Sequence, residues 1–269
     1  MSNPFLARDT GFLRICGHRG HNVSAPENTF AAFRAAKDLG ASSLEIDTVL
    51  TADNEIVVIH DLLVDRTSNG TGAVKDMSLA DIQGLDAGAW YDPKFAGARI
   101  PTLAETIALA HELDMVLEVE IKEKVHLDRY LTALKAAVAD PDDLARVMMI
   151  SFDHANLKVV KAAIPGIRTG GIVHEKFPDP LAVARISDLD ELCIDLDVFD
   201  PVGAEQLHAA GIAIRCHAYS PRTWDRARKS GLNWDETLPQ YLRAGLIDTL
   251  SGDDVGWLKD FVSASGCER

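Results

Sequence analysis

Short apolar runs alternate with stretches of helical periodicity along nearly the whole chain. The runs at 13–17, 43–48, 115–121, 147–152, 167–173, 192–196, 212–217 and 246–251 have strand length and predict strands. Between them, apolar residues recur at helical spacing over 28–39, 103–113, 127–139, 154–164, 179–186, 201–210, 221–228 with 237–244, and 254–264. Asn28, Thr102, Asp153, Asp179 and Asp200 stand where helix N-caps are expected, and Pro201 fits a first helical turn. Gly40, Gly166, Gly211 and Gly245 fit helix C-terminal ends. Eight strand-then-helix units in order predict an α/β fold, a closed parallel (β/α)8 TIM barrel. A doubly wound open sheet is the alternative, and the count of eight favours the barrel.

Residues 51–102 break the rhythm. They hold a turn (Ala52-Asp53-Asn54), a strand-like "EIVVIHD" and a long segment with its own Gly, Asn and aromatic residues. That is too long for an ordinary βα loop. It reads as a small insertion after the second strand, on the C-terminal face of the strands, where barrel enzymes carry their chemistry. The expectation is one domain spanning 1–269, insertion included. Trp90, Tyr91 and Phe95 are expected to pack the insertion rather than to form a lid.

Composition narrows the function classes. A length of 269 residues suits a single barrel, which typically runs to ~250. The formal net charge of −14 repels nucleic acid and anionic lipid, so neither a nucleic-acid partner nor stable membrane association is expected. No apolar run approaches the ~20 residues that span a bilayer. "MSNPFLARDTGF" lacks a basic and then apolar leader, which makes the cytoplasm the expected location. None of the four cysteines (Cys16, Cys193, Cys216, Cys267) falls in a Cys-x-x-Cys pair, and they read as reduced, packed thiols. The sequence leaves the oligomeric state open.

Polar residues at the strand ends carry the candidate chemistry. Alternation in "SLEID" puts Glu45 and Asp47 on one face. In "LEVEIK" it aims Glu118, Glu120 and Lys122 toward the barrel axis. Carboxylates gathered there repel one another and resist desolvation. A divalent cation relieves both costs, and three carboxylates without a thiolate favour one hard ion, Mg²⁺ or Ca²⁺. The alternative is a metal-free salt-bridge network through Arg19 and Lys122. His18 closes the first strand and His60 closes "VVIH"; imidazoles can act as base and then acid near neutral pH. Arg19 and Lys122 supply cations for a phosphate's oxygens. The glycines flanking His18-Arg19 let the chain turn sharply.

Taken together, "HRG…PENTFAAF", "LEIDTVLTADNEIVVIHD", "DRTSNGTGAV", "LDAGAWYDPKFAGARIPTL", "LEVEIK" and "SFD" resemble the glycerophosphodiester phosphodiesterases. The likeness runs in order from about residue 15 to residue 153 and is weaker beyond. It implies a barrel with an insertion after strand 2. It implies that His18 and His60 are the catalytic histidines, that Glu45, Asp47 and Glu120 bind the metal, and that Arg19 and Lys122 contact the phosphate. The implied substrate is a small glycerophosphodiester, hydrolysed to sn-glycerol 3-phosphate and an alcohol.

The chain departs from that pattern late. Strand 7 reads "IAIRCHAYS" where the family commonly ends in Trp-Thr, and strand 8 reads "LIDTLSGDDVGW" where Thr-Asp is common. His217 or Tyr219 takes the tryptophan's region. His217 is a candidate substrate contact, or simply a hydrogen-bonded barrel histidine. Glu118 is expected to pair with Arg215, His21 to lie at the surface, and Asp195 and Asp253 to sit at the site's rim. Three rival functions remain. A lysophospholipase D or sphingomyelinase-D-like lipid phosphodiesterase would want a basic amphipathic rim, which is missing. A non-catalytic phosphoester-binding barrel would not need both histidines and all three carboxylates. A metal-assisted lyase would leave the paired histidines without a role.

Overall fold

In the computed structural model, which describes residues 3–267, eight parallel strands close on themselves. They are β1 (Arg14–His18), β2 (Ser43–Leu50), β4 (Val116–Ile121), β5 (Val147–Ser151), β6 (Arg168–Val173), β7 (Glu191–Asp195), β8 (Ala213–His217) and β9 (Thr249–Gly252). β1 pairs with both β2 and β9, and that double pairing makes the sheet a barrel. The short strand β3 (Ile56–Val58) lies antiparallel on β2. Helices follow the barrel strands and pack their apolar faces on the outside of the sheet, around Leu44, Leu117, Met149 and Leu192, which are all fully buried. The predicted (β/α)8 barrel is therefore the fold.

Local chemistry starts most of the helices as expected. Thr102 accepts from the Glu105 backbone N–H in a reciprocal capping box, and Asp153, Asp179 and Asp200 each cap a helix. One expectation fails. The first barrel helix begins at Phe30 with Thr29 as its cap, so Asn28 is not a cap residue. It sits at φ 56° and turns its amide onto Asp47. The helix Pro141–Arg146 was not anticipated, because six residues are too few to show an amphipathic period.

The insertion packs a core of Val57, Ile59, Val64, Val74, Ile82, Ala87 and Ile100 against Val49 of β2. Trp90, Tyr91 and Phe95 stack edge to face within it, with centroids 5.7 and 5.8 Å apart. The Tyr91 hydroxyl ties it to the first barrel loop by donating to the Val23 carbonyl at 2.5 Å. At the opposite end of the barrel, Phe5 and Leu6 join Val116, Met148, Ile150, Cys193 and Ala213 in a separate buried cluster. All four cysteines are free and buried. Among the described residues no helix is long and apolar enough to cross a membrane.

Two features of the barrel place the site. Parallel register sets His18 beside Glu45, Glu45 beside Glu118, and Asp47 beside Glu120, so the inward side chains of three neighbouring strands stack in layers. The turn after β1 is then very tight. Gly20 adopts φ +84°, and a Cβ there would lie 2.7 Å from Ala32 in the following helix. A Cβ on Gly17 would lie 2.9 Å from the Gly20 carbonyl oxygen. Only glycine permits this close return, which holds His18 and Arg19 at the strand exit.

Candidate active site

Glu45, Asp47 and Glu120 come from adjacent inward positions of β2 and β4. Each offers an oxygen within 4.8 Å of the others. They are 2%, 0% and 8% exposed, deep enough that isolated negative charge is expensive. Asp47 is gripped by Arg19 (Nε to Oδ2, 3.1 Å), Lys122 (Nζ to Oδ1, 3.1 Å) and the Asn28 amide (2.9 Å). Burial pushes its carboxyl up, but Arg19 and Lys122 outweigh this and hold it below the ordinary range. Lys122 also reaches Glu120 at 2.7 Å. Burial raises Glu120 despite Lys122, and burial together with Asp47 raises Glu45.

Arg19 and Lys122 thus form the salt-bridge network that the sequence allowed, but they do not balance it. Among the described residues, Glu27, Asp47, Asp61 and Glu120 pair with Arg19, Arg66 and Lys122, three cations for four carboxylates. Among the described residues, no lysine or arginine side chain comes within ion-pair distance of Glu45, whose Oε2 lies 3.7 Å from His18 Nε2 and accepts the Arg19 backbone N–H. A surplus of buried oxygen donors with no thiolate among them fits one hard divalent cation.

Each histidine is oriented by an aspartate. His18 Nδ1 lies 2.7 Å from Asp253 Oδ1, so Nδ1–H donates and Nε2 faces Glu45. Asn22 braces the same oxygen at 2.9 Å. Burial lowers the His18 pKa, but Glu45 and Asp253 more than reverse this, leaving it raised. Burial raises Asp253, and the bond from His18 carries it down to about 2. His60 repeats the arrangement: Nδ1 is 2.6 Å from Asp61 Oδ1. His18, His60, Arg19, Lys122, Glu45, Glu120 and His217 all line one pocket of about 300 Å³. Asp47 joins the cluster while being wholly shielded from solvent.

The far wall of the pocket is Phe152, His174, Asp195 and Tyr219. Asp195, expected at the rim, is hydrogen-bonded to His174 Nδ1. His217 shares a 3.0 Å hydrogen bond with Ser251 and meets the rings of His18 and Tyr219 edge-on at 5.0 and 4.9 Å. Burial, with His18 beside it, keeps its pKa well below the ordinary value. It is therefore a hydrogen-bonded barrel histidine that also faces the cavity. Trp90, Tyr91 and Phe95 do not line the pocket. Glu118 pairs with Arg215 at 3.0 Å, as alternation predicted. His21 corrects its prediction: it is 7% exposed, and its Nδ1 accepts the Val255 backbone N–H at 3.2 Å. The Gly20 turn carries it inward against the last helix.

Several site residues escaped the sequence reading. Asp61 follows His60 directly, and Glu27-Asn28 stand inside "PENTF", so a local signal existed for these three. Arg66 and Asn22 carry no such signal. Nor does Asp253 as a partner of His18, 235 residues away in the chain.

The glycerophosphoryl diester phosphodiesterase family matches residues 18–247. A glycerophosphodiester phosphodiesterase of Caldanaerobacter subterraneus subsp. tengcongensis is 43% identical over 157 residues, 58% of this chain and 65% of its own length. One from Bacillus subtilis is 40% identical over 98 residues, 34% of this chain and 33% of its own length. The chain thus aligns with less than two thirds of either relative. A solved structure of an Oleispira antarctica phosphodiesterase, in complex with the product sn-glycerol-3-phosphate, superposes with a TM-score of 0.80 at 26% identity, covering 94% of this chain and 98% of that one. The matched span starts at His18 and holds the three clustered carboxylates, His60 and the neighbouring cations Arg19 and Lys122, so this chain belongs to the glycerophosphoryl diester phosphodiesterase family.

Proposed function

We propose that this chain hydrolyses small glycerophosphodiesters to sn-glycerol 3-phosphate and an alcohol, with His18 and His60 moving the protons and one divalent cation assisting. The observation that carries this reading is the meeting of His18 and His60 with the acidic trio around one cavity. Glu45, Asp47 and Glu120 would hold Mg²⁺ or Ca²⁺, which when bound neutralises phosphoryl oxygens and stabilises the charge that builds on them.

The chain's own groups do the rest. Arg19 and Lys122 reach into the pocket and donate to the remaining phosphoryl oxygens. Asp253 and Asp61 each take a histidine's Nδ1–H, which leaves Nε2 free for proton transfer. One ring removes a proton from water or from the glycerol 2-hydroxyl as the new P–O bond forms. The other gives a proton to the alkoxide as the old P–O bond breaks. On the 2-hydroxyl route this step yields a cyclic phosphate, which water then opens to glycerol 3-phosphate with the two histidines exchanging roles. His217, close to His18 and open to the cavity, is placed to touch the substrate.

The test is release of glycerol 3-phosphate from glycerophosphocholine with Mg²⁺ or Ca²⁺ present. Release that stops with a chelator and in His18→Ala and His60→Ala supports the reading. Undiminished turnover with the metal chelated, or release of choline from lysophosphatidylcholine with none from glycerophosphocholine, overturns it.

A further inference from the structure

His60 stands two residues past β3, on the insertion rather than on a barrel strand. Pairing of β3 with β2 anchors its backbone beside the trio, with the Ile59 N–H donating to the Asp47 carbonyl at 2.9 Å, but it does not set the direction of the imidazole ring. A ladder of side chains bridges the two. Asp61 accepts from His60, and the Arg66 guanidinium grips both Asp61 oxygens (Nε to Oδ2, 2.7 Å; Nη2 to Oδ1, 3.1 Å). The same guanidinium forks onto Glu27 (Nη1 to Oε2 and Nη2 to Oε1, both 2.8 Å). Glu27 then takes Arg19 Nη1 at 3.0 Å, and Arg19 Nε lies 3.1 Å from Asp47. Asp47, Arg19, Glu27, Arg66, Asp61 and His60 form one chain of alternating charge, from a metal-site carboxylate to a histidine of the proposed reaction.

We infer that Arg66 is a positioning residue, which fixes the His60 ring relative to the Glu45–Asp47–Glu120 cluster by locking Asp61 to Glu27. The inference rests on the proposed function for the role of His60. Stability alone does not explain the arrangement. The Arg66 side chain is 44% exposed, and exposed ion pairs contribute little to folding. Two planar forks on one guanidinium do fix distance and angle, which a lysine's single ammonium cannot.

The experiment compares Arg66→Met, Arg66→Lys and Glu27→Gln with the wild type, each first shown to be folded by its melting profile. Arg66→Met should lower kcat for glycerol 3-phosphate release by roughly 10–100-fold, the usual range for losing a partner that orients a site group. KM and the Mg²⁺ concentration for half-activation should stay within about threefold of wild type, because the residues that contact substrate and metal are intact. Arg66→Lys should recover only part of kcat. Independently of turnover, the proton NMR signal of the His60 Nδ1–H, assigned by its absence in His60→Ala, should be present in the wild type and lost or broadened in Arg66→Met. A folded Arg66→Met that keeps kcat within twofold, or keeps that signal unchanged, overturns the inference. If Arg66→Met does not fold, Arg66→Lys and Glu27→Gln are judged by the same two readouts. If the wild type releases no glycerol 3-phosphate from any glycerophosphodiester, the proposed function falls. The NMR signal alone then decides: its loss in the variant upholds the positioning role and its persistence refutes it.

Discussion

Arg215→Met tests the electrostatics of the barrel interior. Arg215 lies 3.0 Å from Glu118 through Nε, and both side chains are buried. At that separation an effective dielectric of ~20 gives an attraction of about 5.5 kcal/mol. Much of this is offset by desolvating the two charges. The measurable quantity is the cost of removing one partner, which for buried pairs is about 3–5 kcal/mol. The low end is expected here, because Arg14 also faces Glu118 and remains as a weaker counter-charge. Burial already pushes the Glu118 carboxyl up, so the orphaned group takes up a proton rather than staying charged. For a chain of this size about 2 °C accompanies each kcal/mol, so the melting temperature should fall by roughly 6 °C. Urea unfolding followed by circular dichroism gives the free energy directly. Arg215→Met with Glu118→Leu should recover part of the loss, since Glu118 is no longer left unpaired, while Arg14 loses one of its carboxylate neighbours. A single variant within 1 kcal/mol of wild type would refute the reasoning. So would a double variant whose loss equals the sum of the singles.

Asp47→Ala should keep the fold yet abolish turnover and Mg²⁺ binding, as read by activity and by isothermal titration; metal binding at wild-type strength would contradict the ligand assignment. The Arg66 hydrogen bonds lower the Asp61 pKa from 3.8 to about 2, with burial opposing and His60 helping. Its stabilising contribution is therefore complete above about pH 4 and disappears as the pH falls through about 2. Melting temperatures measured across that window should drop less in Arg66→Met than in wild type. Gly20→Ala places a methyl 2.7 Å from Ala32 at a φ of +84°, and the strained backbone alone should cost about 1–3 kcal/mol. Unchanged urea unfolding would show that the turn relaxes without difficulty.

Much of this molecule was legible in one dimension. Apolar runs at strand length and caps such as Thr102 and Asp200 are decided within a few residues, and the eight-unit barrel follows from their order. The short helix Pro141–Arg146 has no amphipathic signature in the sequence, because six residues are too few to show a period. Asn28 suits a helix cap or a left-handed turn equally well in sequence, and only the nearby Asp47 decides between them. The burial of His21 is invisible in sequence because it depends on a helix more than 230 residues away.

Alternation alone put Glu45 and Asp47 on one face and Glu118, Glu120 and Lys122 on another, because side-chain direction in a strand has a fixed period of two. What only tertiary structure could decide was which of these meet. Barrel closure and register set Asp47 beside Glu120 and give Glu118 to Arg215, although both glutamates come from the same strand face. The partners of the two histidines divide the same way. Asp61 adjoins His60 in the chain, while Asp253 reaches His18 only because the last strand closes against the first. Hydrogen bonds and ion pairs act over a few ångströms of space whatever the distance along the chain, so the fold must bring such groups together before their chemistry exists.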